Sequence, residues 1–412
     1  IRSTPPRIIK SPPTQPRRAS VAIVLRVCAS PDWGSPIPPL SQPPPTLSEF
    51  FELDWVKDAG SRPEILFLQR DDPATHTDSG LRSTRVRSTQ EAHVAFPGGR
   101  TEEGDEGGLY TAMRQTWEEI GLDLAERDFM CIGQLDDREI TTSLGKRLLM
   151  ILSPFVFLQL TPHFPPVDPA PSTTLHWTPL ASLVFPYPRW SNVTVDAASR
   201  LAPRHSMGLR WLVRFLVGNM EFPAILLDSP KMGYPPLTHD VLEKGDPAPW
   251  RGPRQQQLKL WGLSLGMTLD LLSYMVPGFP QSGPSSASSD DTDASGTRGS
   301  SPTLQMPFQI WGERMRMEVV APSLASVFPR FSYPDVNFWI WVFGKRYREV
   351  VRGWEASVRT SGTNDRRINW SGTALNTFYA SIRKALVVVI IVRALGLLVG
   401  FTLAGWWVFK SE

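Results

Sequence analysis

Gln115, Glu118 and Glu119 stand three and four positions apart within residues 98–122, GGRTEEGDEGGLYTAMRQTWEEIGL. On a helix that spacing projects all three side chains from one face. Two neighbouring carboxylates aimed at one spot repel each other unless a cation lies between them. Oxygen-only ligands suit a hard ion, Mg²⁺ or Mn²⁺, which holds a few carboxylates, keeps its waters and takes the remainder from substrate phosphates. Arg114, four residues before Glu118, is spaced to brace that carboxylate. Phe96-Pro97-Gly98-Gly99 leads into the segment, and its glycines let backbone come close to a ligand.

The order of these residues resembles the signature of the Nudix hydrolases, G-x5-E-x7-R-E-U-x-E-E-x-G-U, in which U is a bulky aliphatic residue. Leu122, Gly121, Glu119, Glu118 and Arg114 fall in register, and Glu106 lies at the matching distance before Arg114. Gly99 is one residue too far from Glu106, as if the loop carried an insertion. Gln115 stands where the family has a glutamate, and Thr116 where it has an aliphatic residue. An amide oxygen can ligate a metal but brings no charge. Residues 87–99 (RSTQEAHVAFPGG), Trp177-Thr178-Pro179-Leu180 and Leu260-Trp261-Gly262-Leu263 look like the coenzyme A diphosphatase branch. The resemblance covers residues 18–276. It implies metal-dependent hydrolysis of the pyrophosphate bond of coenzyme A or a related nucleoside diphosphate conjugate. In that reading Glu118 and Glu119 ligate the metal with Gln115 as a neutral helper. Arg114 braces the acids, and Glu106 (with Glu102, Glu103 or Asp105 as further candidates) adds a ligand or a base. Gly98 and Gly99 admit the pyrophosphate, and Arg82, Arg85 and Arg87 pair with phosphates. The alternative is a non-catalytic nucleotide-binding or scaffold module, motivated by Gln115.

These residues need a frame. Residues 19–26 (ASVAIVLR) and 64–69 (EILFLQ) read as buried strands, and residues 130–135 and 148–158 supply more. A short helix is expected near Leu183, and residues 258–275 (LKLWGLSLGMTLDLLSYM) repeat apolar residues at helical spacing, which reads as one packed helix. Strands flanking helices in this order predict an α+β body, a Nudix-type α/β/α sandwich with a mixed sheet. Trp117 and Trp177 are expected in its core. His93 and His176 lie near the presumed site segments, but no His/Cys spacing resembles a zinc site.

With 40 prolines, the 412-residue chain must contain long irregular connections. A net charge of +3 argues against a nucleic-acid partner held by a strong basic field. Cys28 and Cys131 give neither a disulfide framework nor a zinc site. The composition divides the chain into a disordered segment (1–17), the hydrolase-like domain (18–276), a Ser/Gly/Asp-rich linker (277–303), an aromatic and basic region (304–384) and an apolar segment (385–409). Within the fourth, residues 337–356 read as an amphipathic helix, packed on the domain or lying at a membrane interface. The apolar segment, ALVVVIIVRALGLLVGFTLAGWWVF, has the roughly 20 residues that a bilayer demands, with Trp406 and Trp407 at one end and Arg383 and Lys384 before the other. It predicts a tail-type membrane anchor, with the body facing the cytosol of a peroxisomal, mitochondrial or endoplasmic reticulum membrane. Arg393 inside the span costs roughly 2.5–3.5 kcal/mol on insertion scales, and the sequence offers it a partial escape by snorkelling.

Overall fold

The computed structural model describes residues 1–2, 5–12, 17–37, 39–70, 91–141, 147–171, 173–184, 188–197, 207–227, 257–275, 326, 328–350 and 373–411. Arg82, Arg85 and Arg87 lie outside them, as does the expected linker at 277–303.

β-branched and aromatic runs build the strands β1 (Arg18–Cys28), β2 (Arg62–Arg70), β3 (Glu91–Ala95), β4 (Gly98–Arg100), β5 (Phe129–Gln134), β6 (Arg138–Thr141), β7 (Leu148–Gln159), β8 (Thr173–Pro179), β9 (Arg189–Asp196), β10 (Asn219–Leu227), β11 (Gln257–Trp261) and β12 (Arg330–Phe331). They join in one sheet whose path runs β12-β10-β11-β3-β2-β1-β7-β5, with β4 on β1, β6 on β7, β8 on β2 and β9 on β10. β1 runs parallel to β7 and β11 parallel to β3, while the other pairs are antiparallel, so the sheet is mixed as expected.

Alternation along the central strands makes two cores. Ala22, Val24, Leu66, Leu68, Phe155 and Phe157 face one side, where Ala112 and Ile120 of helix α3 (Gly108–Ile120) pack on them. Ile23, Ile65, Phe67 and Val156 face the other, against Leu265, Leu269 and Leu272 of a helix at Gly262–Met275. Helices thus cover both faces, giving the expected α/β/α body of an α+β fold. Two short helices, α1 (Leu47–Glu52) and α2 (Asp54–Lys57), close one end around Phe50 and Trp55. Fully buried Arg138 of β6 pairs with Asp270 of the second covering helix and ties that layer to the sheet.

Three sequence expectations are corrected. Residues 258–275 are not one helix: they divide into β11 and the covering helix at Gly262, whose φ of +61° turns the chain. Leu258 and Leu260 alternate into the core at strand period, and the pairing of β11 with β10 and β3 outweighs a short apolar run that fits either template. The segment expected to be disordered at the N-terminus is tied down where it is described. Arg7 and Ile9 donate backbone N–H bonds of 2.8 and 3.0 Å to Asp136 and Asp137. Arg18 donates to Asp137 at 2.7 Å from the strand that follows. Trp117 is exposed, because Thr111, Ala112, Thr116 and Ile120 already fill the sheet-facing side of α3.

A second, helical cap collects on the β10 and β12 edge. It consists of α4 (Met207–Val217), the covering helix α5 (Gly262–Met275) being separate from it, then α6 (Pro334–Phe343) and α7 (Thr373–Ser411). Leu216, Val217, Phe331, Val336, Phe378, Ile382, Leu386 and Val389 form its core. The helix expected over 337–356 starts earlier, with Pro334 in its first turn, and pauses at Gly344. Helical residues resume through 350, and 351–356 lie outside the described residues. Within α7, Asn376–Lys410 is long and apolar enough to cross a membrane.

Candidate functional site

The turn at Gly98 and Gly99 is fastened to β1. The register pairs Val21 with Gly98 and Ser20 with Gly99, and the Ala22 N–H donates to the Pro97 carbonyl at 2.9 Å. Gly98 has φ +147°, and a Cβ there would meet the Ser20 carbonyl oxygen at 2.3 Å and Val21 Cα at 2.6 Å. Both obstacles are backbone, so glycine is required. A Cβ on Gly99 would fall 1.9 Å from Gln115 Oε1. The bare glycine is what lets the Gln115 amide lie against the turn.

α3 ends where it must for this. Gly121 takes the left-handed conformation (φ +68°) and donates its N–H to the Trp117 carbonyl at 2.8 Å, stopping the helix one residue after the core residue Ile120. Thr116, the departure from an aliphatic residue, is fully buried and donates its hydroxyl to the Ala112 carbonyl at 2.7 Å. Its polar atom is satisfied within the helix, and the methyl serves the core.

Gln115 and Glu118 are brought into contact, and the neighbouring Glu119 is held by a separate partner. Gln115 Nε2 donates to Glu118 Oε2 at 2.8 Å. Arg114 donates to both Glu118 oxygens at 2.9 and 3.1 Å, as its spacing implied. Glu119 meets Arg70 at the end of β2: Nε donates to Oε1, and Nη2 donates to Oε2 at 2.8 Å and to the Phe96 carbonyl at 3.3 Å. Glu119 is more enclosed than Glu118, with side-chain exposures of 16% against 51%.

Two participants were not placed by spacing: Arg70 was not foreseen, and Asp105 stood only as one of several candidates beside Glu106. Arg70 sits 49 positions from Glu119, and only the pairing of strands brings it to the end of α3. Asp105 faces Arg114 from the loop before α3, while its neighbour Glu106 is exposed. Arg114 grips Asp105 through two bonds, Nε to Oδ1 at 2.8 Å and Nη2 to Oδ2 at 2.9 Å. The Thr111 hydroxyl and Glu102 N–H add bonds of 2.9 and 3.0 Å to Oδ2. The Arg114 bonds hold the Asp105 carboxyl well below the usual carboxylate range, and Asp105 in turn raises the guanidinium. Glu102 reaches Arg114 only at 3.5 Å.

A pH prediction follows from the sign of that shift. A carboxylate whose pKa drops on folding contributes stability that is complete above its unfolded value, near pH 3.9, and is lost as pH falls below it. Asp105→Asn is expected to cost about 2 kcal/mol at neutral pH. Urea midpoints measured at falling pH should show the gap between parent and variant narrowing below about pH 4. A gap that stays constant to the acid limit rules out this account of Asp105.

His176 is buried in β8 beside the Gln69 side chain at 3.2 Å, and its burial pushes the imidazole pKa down. His93 packs against Trp261. Trp177, half-buried, carries the Arg26 guanidinium 3.9 Å over its ring. Cys28 and Cys131 are free thiols.

The donor set suits a hard divalent cation in kind, since Gln115, Glu118 and Glu119 offer oxygen only. It is one negative charge short of the signature. Among the described residues, no group of three His, Cys, Asp or Glu side chains is arranged to hold a metal ion. The third oxygen donor on this face is the Gln115 amide.

No family model matches the chain. Over 225 residues it is 31% identical to an uncharacterized protein of Schizosaccharomyces pombe, covering 54% of this chain and 59% of that one. Over 89 residues it is 33% identical to the mitochondrial coenzyme A diphosphatase NUDT8 of Mus musculus, covering 21% of this chain and 41% of the other. The chain therefore spans 59% and 41% of the length of these curated relatives. Among solved structures, an Ap4A hydrolase of C. elegans aligns at 17% identity and a TM-score of 0.23, covering 48% of this chain and 96% of that one. The E. coli dihydroneopterin triphosphate pyrophosphohydrolase aligns at 16% and 0.22, covering 48% and 92%. A MutT/nudix family protein of Enterococcus faecalis aligns at 12% and 0.21, covering 40% and 44%. Superpositions at these scores bear no weight for fold or activity; the three-layer body rests on its own strand pairing, and the likeness to a coenzyme A diphosphatase on 89 aligned residues.

Proposed function

We propose that this chain is a Nudix-type hydrolase that cleaves the pyrophosphate bond of coenzyme A or a related nucleoside diphosphate conjugate, tethered to a membrane by α7. The observation that carries the reading is the meeting of α3 with the glycine turn: Gln115 lies against Gly99 while Glu118 and Glu119 stand in the same last turns of the helix. The signature order of residues 98–122 and the similarity to a mouse coenzyme A diphosphatase support it.

Glu118, Glu119 and Gln115 would hold Mg²⁺ or Mn²⁺. When bound, such an ion neutralises charge on the pyrophosphate and makes a water more acidic. The chain's own groups do the rest. Gly98 and Gly99 keep side chains out of the turn, so phosphate oxygens can approach the backbone. Arg114, anchored on Asp105, fixes the rotamer of Glu118. Arg70 does the same for Glu119 and also joins it to the Phe96 carbonyl at the start of the turn. Such outer partners typically account for 10- to 100-fold in affinity or rate. Arg383 and Lys384 precede the apolar stretch, which favours a cytosolic body.

One observation favours a second reading, a non-catalytic nucleotide-binding module. Both acids already have protein partners, Gln115 and Arg114 on Glu118 and Arg70 on Glu119, so each carboxylate is held without a metal ion. The full chain in detergent, given coenzyme A and Mg²⁺ or Mn²⁺ with products weighed by mass spectrometry, separates the two. Release of an adenosine bisphosphate and phosphopantetheine, abolished by chelator, is the expected result. Intact coenzyme A, and intact members of a wider panel of nucleoside diphosphate conjugates, would leave the binding module standing.

A further inference from the structure

Arg393 does not snorkel. Its guanidinium donates to both Asp335 oxygens of α6 at 2.7 and 2.6 Å and to the Leu216 carbonyl at the end of α4 at 2.6 Å, and it lies 4.4 Å over the Tyr333 ring. The ends of α4 and α6 therefore meet α7 at one level. N-terminal to that level one face of α7, Phe378, Ile382, Leu386 and Val389, is buried in the cap while Val387, Ile391 and Val392 on the other are exposed; beyond it, Leu395, Leu398, Phe401, Trp406 and Phe409 are exposed. An ion pair with Asp335 half exposed does not belong deep in hydrocarbon, so the level of Arg393 marks the polar boundary of the bilayer. From Ala394 to Phe409, bounded by Arg393 and Lys410, there are sixteen residues, about 24 Å of helix against a hydrocarbon core of roughly 30 Å. That span is short by a turn, and a short span is accommodated by thinning the bilayer or drawing the body down into it.

α4 is built for the second option. Its C-terminal Leu216 and Val217 are buried in the cap, while Met207, Trp211, Leu212 and Phe215 are exposed at 79%, 73%, 47% and 62%. Steps of 100° per residue put those four in one arc of about 140°. Arg214, exposed, and Arg210, partly so, lie at the edge of that arc, spaced for anionic headgroups. A row of Trp, Phe, Met and Leu open to water is expensive for a soluble helix, and here it begins beside the point where α7 leaves the protein.

We propose that α4 is a second membrane contact, an in-plane helix that sinks its Met207, Trp211, Leu212 and Phe215 face into the headgroup boundary of the bilayer that α7 crosses. The body then rests on the membrane instead of swinging from a tether. This inference rests on the membrane reading of α7 and is independent of the hydrolase reading.

The test uses the full chain with Cys28 and Cys131 replaced by Ala, reconstituted in phosphatidylcholine–phosphatidylserine vesicles. An environment-sensitive fluorophore is attached in turn at Phe215→Cys, Leu398→Cys and, as a distant control, Glu52→Cys; Leu212→Cys repeats the α4 measurement should Phe215→Cys misfold. The label at 398 should be quenched by lipids spin-labelled deep in the acyl chain. The label at 215 should be quenched by lipids spin-labelled near the headgroup and shielded from aqueous iodide, and the label at 52 should be open to iodide. If 398 is in lipid but 215 is as open to iodide as 52, the docking of α4 is refuted and the anchor stands. Iodide shielding at 215 without quenching by spin-labelled lipid points to a protein neighbour and also refutes it. A label at 398 open to iodide removes the anchor and the docking together.

Discussion

Glu119→Gln is expected to reduce pyrophosphate hydrolysis by roughly 100- to 1,000-fold, about 3–4 kcal/mol of transition-state stabilisation. The amide keeps the shape and one acceptor oxygen of Glu119 but removes one of the two carboxylates on the face of α3. It also breaks the charge on the Arg70 pair, so the loss combines a weaker grip on the cation with a looser side chain. The loss should appear in kcat, with the apparent metal requirement moved to higher concentration. Stability should change by no more than about 1 kcal/mol, because the Arg70 side chain is 44% exposed and pairs open to solvent contribute little. Steady-state kinetics over a metal titration, alongside a thermal melt, measure both quantities. Full activity in Glu119→Gln would end the case for metal-assisted chemistry at this helix. A collapse of the fold would assign Glu119 a structural role instead.

The second large effect concerns Gln115. In the present arrangement its amide donates to Glu118 and its oxygen faces Gly99. Gln115→Glu exchanges that donor for a carboxylate, so 115 and 118 become like charges with no proton between them. Without metal the variant should lose about 1 kcal/mol or more. With metal the third carboxylate supplies the missing charge, and affinity for Mn²⁺ should rise by an order of magnitude or more. The readout is the shift in melting temperature with added cation: a site occupied at a hundred times its Kd adds about 2.7 kcal/mol. A hydrolysis rate that rises with affinity means that this chain carries a weakened form of a working centre. A rise in affinity without turnover means that the site binds nucleotide and does no more. No metal-dependent shift in either form would remove the cation from both readings.

Local pattern made much of the molecule legible. The continuous apolar runs of β1, β2 and β7 marked strands, because a sheet covered on both faces needs apolar residues on each side. The helix spacing of Arg114, Gln115, Glu118 and Glu119 gave a common face, because 3.6 residues per turn is a property of the backbone alone. The glycines at 98, 99 and 121 marked the turn and the helix end for the same reason: their conformations and clearances exclude a Cβ. An apolar run bounded by charge identified a candidate membrane helix.

What the sequence could not carry were pairings between distant residues. Arg70 and Glu119 meet only because β2 ends beside the end of α3, and Asp105 meets Arg114 only because the loop before α3 folds its carboxylate onto the guanidinium. The division of residues 258–275 into strand and helix depended on neighbours β10 and β3 that offer backbone hydrogen bonds. Arg393 looked like a defect in an apolar helix until Asp335, 58 positions away, supplied its counter-charge. The sequence by itself determined periodicities, turns and the chemistry on one helical face, since these depend on bonds and sterics within a few residues. The tertiary structure alone decided which charge neutralises which, because that depends on proximity across the fold, and spacing along the chain says nothing about it.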